Sequence, residues 1–144
     1  MSALANVVYV LTALAALVVV LTRLRLARDE AAGTFRVGHG LVNLHTVTGI
    51  VGLAVWVVFL VADEESAAGS SLVGIIGLFF WWVTALLGLM VLMRWLPTRG
   101  RHADDRPGRS WSTWITGPGF SLLAHLGVLL GVGVATWAYL TQAV

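Results

Sequence analysis

The chain contains no cysteine and no lysine. Without cysteine there are no disulfide staples, no thiol redox chemistry and no thiolate metal site. Charge of either sign is scarce, at 11% of 144 residues against 58% hydrophobic, too little to coat a soluble domain of this size. Charge is missing altogether from Met1 to Thr22, from Val37 to Ala62, from Ser66 to Met93 and from Ser110 to Val144. No carboxylate therefore lies deep in an apolar block, and such a carboxylate is the usual coupling group of a proton-driven carrier. A hydrolase fares no better, because no nucleophile, base and acid can be assembled from what remains.

What is present is four long apolar blocks, each meeting the length of about 20 residues needed to cross the hydrocarbon core. Inside a bilayer only helices and closed barrels satisfy every backbone group, and these blocks lack the alternation of barrel strands. The expected fold is all-α, an integral membrane four-helix bundle in one domain over 1–144. Its helices are expected near 4–26, 36–61, 71–96 and 118–142, arranged as two antiparallel hairpins. The third helix should stop before Pro97, which restricts the residue ahead of it, and Pro118 suits a first helical position. The N-terminus lacks the basic region of a cleaved signal peptide, so the first helix is expected to be retained.

All nine basic residues are arginine. Arg23, Arg25, Arg28 and Arg36 separate the first two helices; Arg94, Arg99, Arg101, Arg106 and Arg109 separate the last two. The segment holding Asp63, Glu64 and Glu65 has no basic residue, and neither terminus has one. Because short basic loops stay in the cytoplasm, the arginine segments are expected inside and both termini extracytoplasmic. Arginine in solvated loops beside anionic lipid headgroups explains the pI of about 9.9 without nucleic acid. Abundant Ala, Val, Gly and Arg fit a GC-rich bacterial genome, so a bacterial cytoplasmic (inner) membrane is the expected location.

Aromatic residues mark candidate interfaces: Trp95, Trp111 and Trp114 near the arginine segments, and Tyr9, Trp137 and Tyr139 at the opposite end. Trp81 and Trp82 instead fall in mid-helix, where each indole N–H wants an acceptor. The two halves of the chain also look alike. Each has an apolar helix, an arginine segment, a Gly-x-Gly start (Gly38–Gly40 and Gly117–Gly119) and a second helix with a histidine. A duplicated hairpin would place the halves about an axis along the membrane normal.

Polar chemistry inside the spans rests on His39, His45 and His125, with Asn43 and a few hydroxyls. Ionisable groups there usually face the bundle interior. His45 lies about 13 Å along its helix from Arg36 at a 1.5 Å rise per residue, and His125 follows Pro118 by a similar stretch, so the two should share one depth. Two such histidines could ligate a metal cofactor, and haem suits a pair of imidazoles where no thiolate is present. Gly49 and Gly52 on the His45 face, and Gly127 and Gly131 near His125, would leave room for a porphyrin. The same glycines also match the small-residue pattern of close helix packing, and a buried histidine can simply bond to a neighbouring carbonyl. His39, Asn43 and Thr46 form a second polar stripe, suited to a quinone headgroup, a proton path or a partner subunit. His102 sits among the arginines, in solvent.

A four-helix membrane protein with His45 and His125 at matched depth resembles the small b-type cytochromes and the haem-bearing membrane anchors of respiratory enzymes. The resemblance implies one bis-histidine haem b and electron transfer between quinone and a partner, in an accessory or electron-transfer subunit rather than a stand-alone enzyme. The alternative is a non-catalytic membrane subunit or scaffold, in which the glycine faces pack helices and the arginine segments meet lipid, a cytoplasmic partner or a second copy. A small transporter is a distant third.

Overall fold

A computed structural model describes residues 2–31, 39–100 and 118–144. Arg36, Arg101, Arg106, Arg109, His102, Trp111, Trp114, Gly38 and Gly117 lie outside them, as do the side chains of His39 and Trp95. The described residues form four helices and no strand: α1 (Ala3–Ala31), α2 (His39–Val61), α3 (Ser71–Gly100) and α4 (Pro118–Leu140). All four are long and apolar enough to cross a membrane, with candidate spans Ala3–Leu24, Gly40–Val61, Ser71–Met93 and Leu122–Leu140. Large apolar side chains lie exposed on every helix, among them Leu14, Val47, Phe79 and Leu130. That is the surface of a membrane protein, since acyl chains and not water can cover it.

Two helix ends differ from the sequence expectation. α1 runs on to Ala31, because its tail past Leu24 consists, apart from Asp29, of Arg, Leu, Ala and Glu, which favour helix in water as well as in lipid. α3 continues through Pro97 to Gly100. The bias that proline places on its predecessor is outweighed where a long helix already supplies the preceding turns. The other ends have local causes. The Ser2 hydroxyl caps α1 by accepting from the Ala5 N–H at 3.0 Å. α4 stops where Gln142 adopts a left-handed φ of 54° and the Ala143 N–H reaches back to the Ala138 carbonyl at 2.9 Å.

Packing runs around a ring in which each helix touches its sequence neighbours and α1 closes against α4. The tightest contact, α2 on α3, is a seam of large residues set against glycine. Phe59 and Tyr139 fill the space over Gly74, Trp56 lies on Gly77, Phe80 and the Trp81 backbone lie on Gly52, Thr84 on Gly49, and His45 on Gly88. On α2 the seam positions are 45, 49, 52, 56 and 59; on α3 they are 88, 84, 80–81, 77 and 74. Steps of three or four along one helix meet steps of three or four back along the other. Such spacing keeps one stripe facing the partner, and the glycines allow the close approach that drives association where lipid removes the hydrophobic advantage.

At the end bearing both termini the bundle is also tied by hydrogen bonds. The Tyr9 hydroxyl donates to the Leu60 carbonyl at 2.7 Å, one of the last carbonyls of α2 that the helix itself leaves without a partner. The Tyr139 hydroxyl donates to the Ser71 carbonyl at 2.9 Å. The Trp56 indole donates to the Thr12 hydroxyl at 3.3 Å, deep in a core that includes Val8, Leu78 and Ala138. Between α2 and α3, the Asp63 carbonyl accepts from both the backbone N–H and the hydroxyl of Ser66. Any side chain at Gly69 would collide with that carbonyl, so the turn needs glycine there.

Candidate functional site

Toward the arginine-bearing end the seam finishes on histidine. The rings of His45 and His125 lie with centroids 6.0 Å apart and planes inclined by 22°. That separation and inclination are those of two rings stacked with an offset. Both rings converge over Gly88 of α3: a Cβ built there would sit 3.0 Å from Cε1 of His45, 2.8 Å from Cδ2 of His125 and 3.3 Å from its Nε2. Two imidazoles from two helices thus meet above a residue with no side chain.

His45 is held in place by its other nitrogen. Nδ1 lies 3.0 Å from the Thr84 carbonyl. A carbonyl can only accept, so Nδ1 carries the proton, and in the neutral ring the lone pair is on Nε2. This is the usual way a metal-binding histidine is fixed in tautomer and orientation. The Thr84 hydroxyl itself donates to Phe80 at 2.7 Å, keeping the Thr84 carbonyl as the group presented to His45. Among the described residues there is no cluster of three or more His, Asp or Glu that could hold a metal ion. A bare zinc wants four protein or water ligands, whereas a haem brings its own equatorial nitrogens and asks the protein for axial ligands alone. Two imidazoles on one metal, at about 2 Å per bond, place their centroids about 6 Å apart, and the pair matches that separation.

The other residues singled out from sequence fall in different places. Gly49 and Gly52 are occupied by the α2–α3 seam, under Thr84, Phe80 and the Trp81 backbone. Gly127 and Gly131 face open space, with nothing within 4 Å of a built Cβ. Both line a cavity of about 270 Å³ between α1 and α4, backed by Trp56 and Trp81 and lined by neither histidine. On the second polar stripe, Asn43 is exposed and the Thr46 hydroxyl donates to its own helix at Val42, 2.9 Å away. Of the mid-helix tryptophans, Trp82 donates to the Thr136 hydroxyl at 3.2 Å, while the buried Trp81 Nε1 has no acceptor among the described residues. Gly88 was not legible as a site residue, because nothing local distinguishes it from the other glycines of α3.

No family model, no curated protein and no solved structure matches the chain.

Proposed function

We propose that this protein is a small electron-transfer subunit of a bacterial cytoplasmic membrane, holding one b-type haem between His45 and His125. The observation that carries the reading is the meeting of the two imidazoles over Gly88, with ring centroids 6.0 Å apart. His45 and His125 would be the axial ligands. The Thr84 carbonyl would orient His45, and Gly88 would keep the gap between the rings free of side chain. Gly49 and Gly52 serve the site indirectly, by letting α2 lie close enough to α3 for the Thr84 carbonyl to reach Nδ1. Bound haem would supply reversible one-electron chemistry, which no residue of this cysteine-free chain provides. Apolar surroundings limit water access and so bear on the potential of such a centre.

The arrangement goes with two antiparallel hairpins, the arginine segments in the cytoplasm and the termini outside, following nine arginines against none. A cysteine-free chain allows a direct test. Ser66→Cys should react with a membrane-impermeant maleimide added to spheroplasts, and Ala27→Cys only after lysis; the reverse pattern refutes the orientation.

The haem test is the absorption spectrum of protein purified from haem-replete cells, oxidised and then dithionite-reduced. Sharp reduced α and Soret bands near one haem per chain are expected. His45→Ala or His125→Ala should remove them, and His102→Ala should not. A featureless visible spectrum refutes the reading and leaves a structural subunit, for which the close α2–α3 seam is the supporting observation.

A further inference from the structure

The two histidines of the pair sit on unequal supports. His45 is bracketed on α2 by buried Val42 and buried Thr48, and its Nδ1 is tied to the Thr84 carbonyl at 3.0 Å. Withdrawing it would break that bond and part the seam at Gly49, where a Cβ would lie 3.2 Å from the Thr84 side chain. On α4, by contrast, no residue from Leu122 to Leu130 is buried. Among the described residues of that helix the buried ones are Val132 and Ala138, both in its other half. The bonds from Trp82 to Thr136 and from Tyr139 to Ser71 lie in that half too. Ala124, Gly127 and Val128, around His125 in sequence, line the opening between α1 and α4. A Cβ at Gly127 would meet nothing within 4 Å.

We infer that His45 is the fixed axial ligand and His125 the exchangeable one, so that a small neutral diatomic such as carbon monoxide can take the place of His125. The inference rests on the haem reading and deepens it. Segments with few buried contacts open at the lowest free-energy cost, and the first half of α4 is such a segment. Its displacement needs no new space, because the opening beside Gly127 already exists. In the exchange the coordinate bond from His125 to the ferrous metal breaks, and one from the carbon of the incoming molecule forms. No electron changes hands and no proton moves, since the imidazole leaves as the neutral ring it was. The class of incoming molecule follows from the walls of the opening, which are almost wholly Leu, Val, Ala and Gly. Apolar cavities admit small apolar molecules that need no hydrogen-bond partner, and they disfavour charged ones.

The test takes the purified wild-type protein in lipid nanodiscs, reduces it with dithionite and titrates it with carbon monoxide. Saturable loss of the sharp α band with a shifted Soret band is expected. Imidazole rescue then identifies the ligand that leaves. His45→Gly and His125→Gly are each loaded with haemin, with and without free imidazole, and compared for haem bound per chain and for monodispersity. Without imidazole both should be depleted of haem. With it, His125→Gly should recover at least roughly fivefold more haem than His45→Gly, the difference that one net hydrogen bond makes. A carbon monoxide spectrum that never forms overturns the exchange, and it does so without any variant having to fold. Equal rescue, or better rescue of His45→Gly, overturns the assignment of the fixed ligand. Wild-type protein without haem bands overturns the haem reading and this inference with it, whereas haem bands that ignore carbon monoxide overturn this inference alone.

Discussion

The two long interfaces of this bundle are opposites made from the same residue type. Along α2–α3 every seam glycine is covered: Gly52 by Phe80 at 3.0 Å, Gly77 by Trp56 at 3.3 Å, Gly49 by Thr84 at 3.2 Å. Along α1–α4 the glycines are bare, and a cavity of about 270 Å³ lies between the helices. Glycine in a membrane helix therefore has two uses, to bring a neighbour's bulk close or to leave space for something else, and only the facing helix decides which. The covered interface positions the Thr84 carbonyl against His45 and fixes the depth of the histidine pair. The bare one provides an opening toward the bilayer.

The sharpest way to break the contrast is at the residue that fills the covered seam most completely. Trp56 is 1% exposed and lies on Gly77. Trp56→Ala should destabilise the protein by about 3 kcal/mol, the low end for such truncations, because transfer from core to lipid gains little and the cavity term remains. Detergent unfolding followed by circular dichroism measures it, and a loss below about 1 kcal/mol would show that the seam is not the stabilising element. Gly52→Leu comes next. Its Cβ already meets Phe80 at 3.0 Å and the backbone of Phe80 and Trp81 at 3.3 Å, neither of which can yield like a flexible side-chain tip. Overpacking of about 2 kcal/mol is expected, together with reduced haem retention as α2 is levered off the Thr84 carbonyl.

Much of this was legible beforehand, for physical reasons that also mark the limits. Four spans followed from uncharged length, a property of composition that no tertiary contact alters. The similar depth of His45 and His125 followed from similar distances to Arg36 and Pro118 near the cytoplasmic starts expected for their helices, because helical rise converts residue count directly into depth. Rotation about each helix axis was harder. Gly49 and Gly52 share the His45 face, but whether that face meets a cofactor or α3 depends on the neighbour. Gly88, which completes the site, was invisible because its role exists only in the α2–α3 register. Trp81 and Trp82 stand out in the sequence as indoles needing acceptors, and only the folded chain separates the one that finds Thr136 from the one that finds none among the described residues.

Smaller changes sharpen the comparison. Gly88→Ala places a methyl 2.8 Å from His125 and 3.0 Å from His45, so the rings must part by a few tenths of an ångström. Retained haem should fall severalfold while stability drops by only about 1 kcal/mol; undiminished haem with an unchanged spectrum would argue that the pair is packing alone. At the opposite end, Tyr9→Phe removes the bond that satisfies the Leu60 carbonyl of α2. A loss of about 1 kcal/mol is expected, with no change in the haem spectrum, because Tyr9 lies far along the bundle from His45.

The smallest effect should come from the bare glycines, and its sign is the informative part. At Gly127 an added methyl meets nothing within 4 Å, so Gly127→Ala carries no steric cost. It removes the backbone freedom that disfavours glycine in a helix interior, a difference of up to about 1 kcal/mol in water and less in a bilayer, where the helix has no solvated competitor. A neutral or slightly stabilising outcome in the unfolding assay fits a face left open within the single chain. A loss of stability or of a native oligomer, read by size-exclusion chromatography with light scattering, would mean that a second helix approaches Gly127 in the assembled protein. The α1–α4 interface would then be closed by association rather than by a ligand, and its likeness to the α2–α3 seam would be restored.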